Sequence, residues 1–158
     1  MKKIILILAI GQFFLFSSCI MLIARNNYTI KKGAIPPDFE KENTTVLFIS
    51  TGRKGVDKSL KDNLKALYHG KYEFINLSEL KTEKYTDLKI YRYTFIYNQK
   101  TLTLTDAKSL SKNYSYTNKF FMFDRKENKE YDCGLFAGNY NGLIKGYLKN
   151  MEKVRFKN

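Results

Sequence analysis

Thr44-Thr45-Val46-Leu47-Phe48-Ile49-Ser50-Thr51-Gly52-Arg53-Lys54-Gly55-Val56, continuing through Leu60, Leu64 and Leu67 to Gly70, is the stretch whose reading decides the fold. Val46 to Ile49 is an unbroken apolar run, the pattern of a strand covered on both faces. Gly52 to Gly55 then reads as a loop. Beyond it Val56, Leu60, Leu64 and Leu67 fall on one stripe at helical spacing, with Lys58, Lys61, Asp62 and Lys65 opposite and Gly70 as the stop. Tyr72 to Leu77 reads as a second strand. A strand, a helix and a strand in this order predict a parallel pair joined by a crossover helix.

Working outward towards the carboxyl end, Ile90 to Tyr97 alternates Tyr91, Tyr93, Phe95 and Tyr97 on one face with Ile90, Arg92, Thr94 and Ile96 on the other. Asn98-Gln99-Lys100 predicts a turn back into Thr101 to Leu104, and Thr105 or Asp106 predicts the cap of a short helix through Ser111. Phe120 to Phe123 is a second central strand, Asp124 to Lys129 a charged turn, and Glu130 to Cys133 a returning edge. Tyr140, Leu143, Ile144, Tyr147, Leu148, Met151 and Val154 keep i, i+3, i+4, i+7 spacing, which predicts a helix from about Asn141 to Lys153 docked on the sheet. The expected fold class is α/β: a single small domain, a mixed β-sheet with two or three packed helices, preceded by a signal or anchor segment.

The other end of the chain has a different character. Met1 is followed by Lys2 and Lys3, an uncharged run from Ile4 to Phe16, and then Ser17, Ser18 and Cys19. Positive, apolar, small is the order of a secretory signal. Leu15-Phe16-Ser17-Ser18-Cys19 resembles the lipobox of bacterial lipoproteins, although Phe16 stands where that family usually has leucine. The resemblance covers the first 19 residues and implies cleavage before Cys19, a diacylglyceryl group on its thiol and acylation of the new amino terminus. A second reading stays open, because the apolar run continues through Ile20 to Ala24 and the 21 residues from Ile4 match a bilayer core of about 30 Å. Both readings tether the domain at its amino end. Residues 26 to 43 contain few apolar residues and carry Pro36-Pro37, and so predict an extended tether. The expected division is a signal over 1–18, a lipidated cysteine and flexible linker over 19–43, and one domain over 44–158.

The chain carries a net charge of +13, and +11 without Lys2 and Lys3. That field favours anionic lipid, acidic glycan or another negative surface. Nucleic acid is not an expected partner, because the lysines are scattered and only five arginines occur. Two cysteines, Cys19 and Cys133, provide neither a disulfide framework nor a metal spacing. No cofactor is expected.

Three places in the mature chain carry candidate chemistry. Gly52, Arg53, Lys54 and Gly55 lie between a strand and a helix, where backbone amides favour an anion, but the loop lacks the phosphate-loop spacing and also fits an ordinary exposed turn. Cys133 and His69, the only histidine, are the minimum for thiol hydrolase chemistry, against a buried thiol and a helix-terminal histidine. Asp124, Glu127, Glu130 and Asp132 alternate with Lys126 and Lys129 and read as a solvated hairpin. Gly138, Gly142 and Gly146 recur every four residues opposite the apolar stripe of the last helix. They are either tolerated surface glycines or a close-contact face for a partner backbone or ligand, with Lys145 and Lys149 beside it. The expectation for function is a membrane-anchored envelope lipoprotein that binds or interacts and is not an enzyme, its domain on the periplasmic or extracellular side. The alternative is a small envelope hydrolase or anionic-ligand-binding protein.

Overall fold

In the computed structural model, residues 20–39, 44–105 and 112–156 are described, with side chains omitted for 101–115. The helix expected to follow Thr105 falls on residues 106–111 and lies outside them. The architecture is α/β, a mixed six-stranded sheet with three helices. Its elements in chain order are α1 (residues 20–27), β1 (Val46–Ile49), α2 (Lys54–Leu67), β2 (Tyr72–Ile75), two short 3₁₀ turns (Leu77–Lys81 and Glu83–Tyr85), β3 (Tyr93–Thr105), β4 (Lys112–Asp124), β5 (Lys129–Asp132), β6 (Phe136–Ala137) and α3 (Tyr140–Arg155). The sheet runs β2-β1-β3-β4-β5, with β6 paired to β4 above β5. β1 is parallel to both its neighbours, while β3, β4 and β5 are antiparallel in turn.

The unbroken apolar run of β1 is explained by cover on both sides. Val46 and Phe48 pack with Leu60 and Leu64 of α2 and with Leu143, Ile144, Tyr147 and Met151 of α3. Leu47 and Ile49 face the other way, where Ile75 and Tyr85 are buried with Leu80 and Tyr91. Glu73 fixes that second layer by accepting hydrogen bonds from Lys84 Nζ at 2.6 Å, Tyr85 Oη at 2.8 Å and Tyr91 Oη at 3.1 Å.

Residues 20–39 depart from the expected anchor extension and tether. α1 lies against α3, and Ala24, Tyr28, Ala34, Ile35 and Phe39 are buried in the main core. The low apolar count misled because few side chains are needed: Tyr28 alone meets Phe120, Phe136 and Tyr147 with ring centroids 5.7, 5.2 and 4.6 Å apart. Polar groups complete the seam. Asn150 donates to the carbonyls of Arg25 at 2.7 Å and Tyr28 at 2.6 Å, satisfying the carboxyl end of α1, and Tyr147 Oη donates to Ala34 O. No helix of the described residues is long and apolar enough to cross a membrane.

The recurring glycines face α1. A Cβ at Gly142 would stand 2.9 Å from Ile20 Cγ2, and one at Gly146 would stand 2.4 Å from Ala24 Cβ and 2.9 Å from the Met21 carbonyl oxygen. Gly138 precedes α3 at φ +130°, a conformation that lets the chain turn from β6 into the helix. The close-contact face therefore exists, and its occupant is this chain's own amino-terminal helix. Helix propensity alone predicts that Gly146→Ala stabilises by about 1 kcal/mol. Because its Cβ would enter backbone and a short side chain, the expected result is a net loss of about 1–2 kcal/mol, read as a lower thermal midpoint. Gly142→Ala crowds the Ile20 side chain, with the Met21 backbone nitrogen at an ordinary 3.9 Å, and should cost less.

The turn expected at Asn98-Gln99-Lys100 does not occur. β3 runs straight through it, and the ladder with β4 continues to Thr105 opposite Lys112. Asn98, Gln99 and Lys100 are exposed, so as polar residues within the strand they break no burial pattern.

Candidate binding cleft

The carboxyl end of β1 lies at a topological switch: the chain leaves it through α2 to β2 on one side, while β3 lies on the other. Open α/β sheets offer a crevice at such points. Here a cleft of about 550 Å³ is lined by Ile49, Ser50, Thr51, Arg53, Leu77, Ile96, Tyr97, Asn98, Gln99 and Phe121.

Asp57, in the first turn of α2, organises its rim. Its carboxylate accepts the Thr51 amide at 2.9 Å, the Thr51 hydroxyl at 2.8 Å and the Ser50 hydroxyl at 2.8 Å. Burial pushes its carboxyl up, and these bonds, with one from the Gly52 amide, outweigh burial and hold it below its ordinary value. The amide of Gly52 also reaches Ser50 Oγ at 3.2 Å, and that of Arg53 reaches Thr51 Oγ1 at 3.2 Å. The loop amides are thus bonded to acceptors of the chain itself, so the geometry is a self-capped turn and not a phosphate cradle. Lys54 and Gly55 belong to the first turn of α2. Of the four loop residues, Arg53 is the one whose side chain enters the cleft. Its guanidinium lies 5.2 Å from the Tyr97 ring centroid and bonds to Gln99 Oε1.

Asn98, Gln99 and Asp57 were not singled out in the sequence. The first two fit a turn in the sequence. Asp57 had a usable signal, an acid in the first helical turn preceded by Ser50 and Thr51.

The other candidates are held apart from this cleft. His69 Nδ1 lies 3.0 Å from Glu152 Oε1, and the His69 amide donates to Oε2 at 3.1 Å, which ties the end of α2 to α3. Cys133 is half-buried against the main core, and burial, followed by the charge of Asp132, pushes its thiol up to about 12. Nucleophilic cysteines need the opposite shift. Alkylation of Cys133 by iodoacetamide at pH 8 should be at least about a hundredfold slower in the folded protein than in urea; equal rates would refute the burial argument.

Asp124 is not part of a solvated hairpin. It is fully buried and paired with Arg92, whereas Glu130 and Asp132 bracket Lys119, the latter at 3.1 Å. No group of three potential metal ligands occurs among the described residues.

A second cleft of about 480 Å³ is lined by Arg25, Thr29, Ile30, Lys31, Asn150, Lys153 and Val154. It lies where α1 and α3 end, and cations there complement the partial negative charge of helix carboxyl termini.

No protein family, curated protein or solved structure matches this chain.

Proposed function

We propose that this chain is an exported lipoprotein held to the membrane through Cys19, whose α/β domain acts by binding in the cleft above β1. The observation that carries the binding half is the cleft's chemistry. Its lining combines apolar walls with neutral polar groups and one cation, and none of its lining residues is a histidine, cysteine or carboxylate. Such a lining orients a ligand through hydrogen bonds. Arg53, planar and braced on Tyr97, favours a ligand bearing an anionic or carbonyl group.

The anchoring half is supported by the order of Lys2-Lys3, apolar run, Ser17-Ser18 and Cys19. Intact mass of the membrane-extracted protein tests it. The expected species lacks residues 1–18 and carries acyl mass on its amino-terminal residue; a species beginning at unmodified Met1 refutes the reading.

A further inference from the structure

The contacts of α1 fix its direction. Ile20 meets Gly138 and Gly142, Ala24 meets Gly146, and the carbonyl of Tyr28 meets Asn150, so α1 and α3 run parallel. α3 in turn begins at the cleft end of the sheet, because it follows β6, which pairs with Thr117 and Asn118, and because Tyr140 packs on Tyr97 at 4.7 Å between centroids. The amino end of α1 therefore emerges at the end where β1 and β2 terminate.

The same end gathers the exposed apolar surface. Of the large hydrophobic side chains exposed among the described residues, Leu22, Ile23, Leu77, Tyr116 and Leu135 lie there. Only Ile90 and Phe156 lie at the opposite end, before β3 begins and after α3 stops. Arg53, Lys54 and Lys100 are exposed at the apolar end as well. The nearby carboxylates are engaged, Asp57 by the loop and Glu79 by Asn76. From Asn98 to Thr105, β3 and its partner strand extend past β1 by about 25 Å at ~3.3 Å per residue.

We infer that this end of the domain is a docking surface for an anionic lipid bilayer. The inference rests on the anchored reading above, because acyl chains on the residue preceding α1 would enter the membrane within about one residue's length, ~3.5 Å, of the packed domain. No stalk separates the two. Scattered apolar side chains with interspersed cations are what an interfacial surface needs: the former enter the headgroup boundary and the latter meet anionic headgroups. The binding cleft then opens close to the membrane, and the β3–β4 extension lies against it.

The chain contains no tryptophan, so single introduced tryptophans report their own surroundings. Leu77→Trp, Tyr116→Trp and Leu135→Trp, with Ile90→Trp and Phe156→Trp as opposite-end controls, are made in the full chain. Each is purified from membranes and reconstituted in vesicles of phosphatidylglycerol and phosphatidylcholine with brominated acyl chains. The expected result is blue-shifted emission and at least about twofold quenching at 77, 116 and 135, with water-like emission at 90 and 156. Lys54→Glu combined with Lys100→Glu should weaken the quenching at 116 by about twofold. Water-like emission at all three rim positions overturns the inference, as does quenching equal at both ends; a protein partner in place of lipid would give the first of these. Intact mass of the same preparation keeps the two proposals separate. Acylated protein without rim quenching leaves the anchor standing and removes the docking surface, whereas rim quenching of a chain that begins at unmodified Met1 does the reverse.

Discussion

Tyr28→Ala should destabilise the domain by about 3–5 kcal/mol, the range for deleting an enclosed aromatic ring. The ring is fully buried between Phe120, Phe136 and Tyr147, so its removal opens a cavity at the junction of α1, the sheet and α3. Neither neighbouring element can move in to fill it, because α3 already lies at contact distance from α1 along its glycines. Tyr28→Phe is the informative partner. The Tyr28 hydroxyl is enclosed and has no hydrogen-bond partner among the described residues, so its loss should be neutral or stabilise by up to about 1 kcal/mol. Chemical denaturation of the two variants separates a core residue from a tether residue, since a tether predicts no change for either.

Breaking the Arg92–Asp124 pair from one side should cost a similar amount, about 3–5 kcal/mol, for a different reason. The pair is bidentate, with Nε 3.0 Å from both carboxylate oxygens and Nη2 2.7 Å from Oδ2, and both residues are buried. Asp124 also accepts the amides of Lys126 and Glu127 at 3.0 and 3.1 Å, closing the turn into β5. Arg92→Met leaves the carboxylate buried against those two amides without its cation. The paired substitution Arg92→Met with Asp124→Leu removes both charges and should recover a large part of the loss, short of the turn's two hydrogen bonds. Acid carries the same signature. Burial raises the Asp124 carboxyl, but the bond to Arg92, the two amides and the guanidinium charge prevail and hold it below its ordinary value. A depressed folded value contributes stability above the unfolded pKa of about 3.9 and loses it as pH falls towards the folded value. Wild-type stability should therefore decline below about pH 4 more steeply than that of the doubly substituted protein.

The parts of the fold legible in the sequence were those where one periodicity dominates. β1, α2 and α3 follow directly from an apolar run of four, a leucine stripe and a seven-residue apolar stripe, and the structure places them within a few residues. β3 was legible only as far as Tyr97, because Asn98, Gln99 and Lys100 are exposed polar residues that carry no buried alternation. Residues 20–39 were illegible for a related reason: one tyrosine, two alanines, an isoleucine and a phenylalanine suffice to seat them, and their receiving surface was recognisable only as glycines with no assigned occupant. The two faces of that contact are separated by most of the sequence, so neither explains the other locally. Of the cleft, the strand-to-helix loop and the opposite wall as far as Tyr97 are legible, whereas Asn98 and Gln99 fit a turn in the sequence.

That separation has a consequence for the order in which the protein matures. Asn150 bonds to carbonyls 122 and 125 positions earlier, so α1 acquires its seat only after nearly the whole chain has been made. Contacts of such long range form late, after the closure entropy of the intervening chain has been overcome. Until then residues 20–39 have no core to join. Residues 20–39 are therefore expected to join the core late, once α3 is in place. The seam between α1 and α3 thus makes the first described helix depend on the last one, so that loss of α3 would leave Ala24 and Tyr28 without much of their packing.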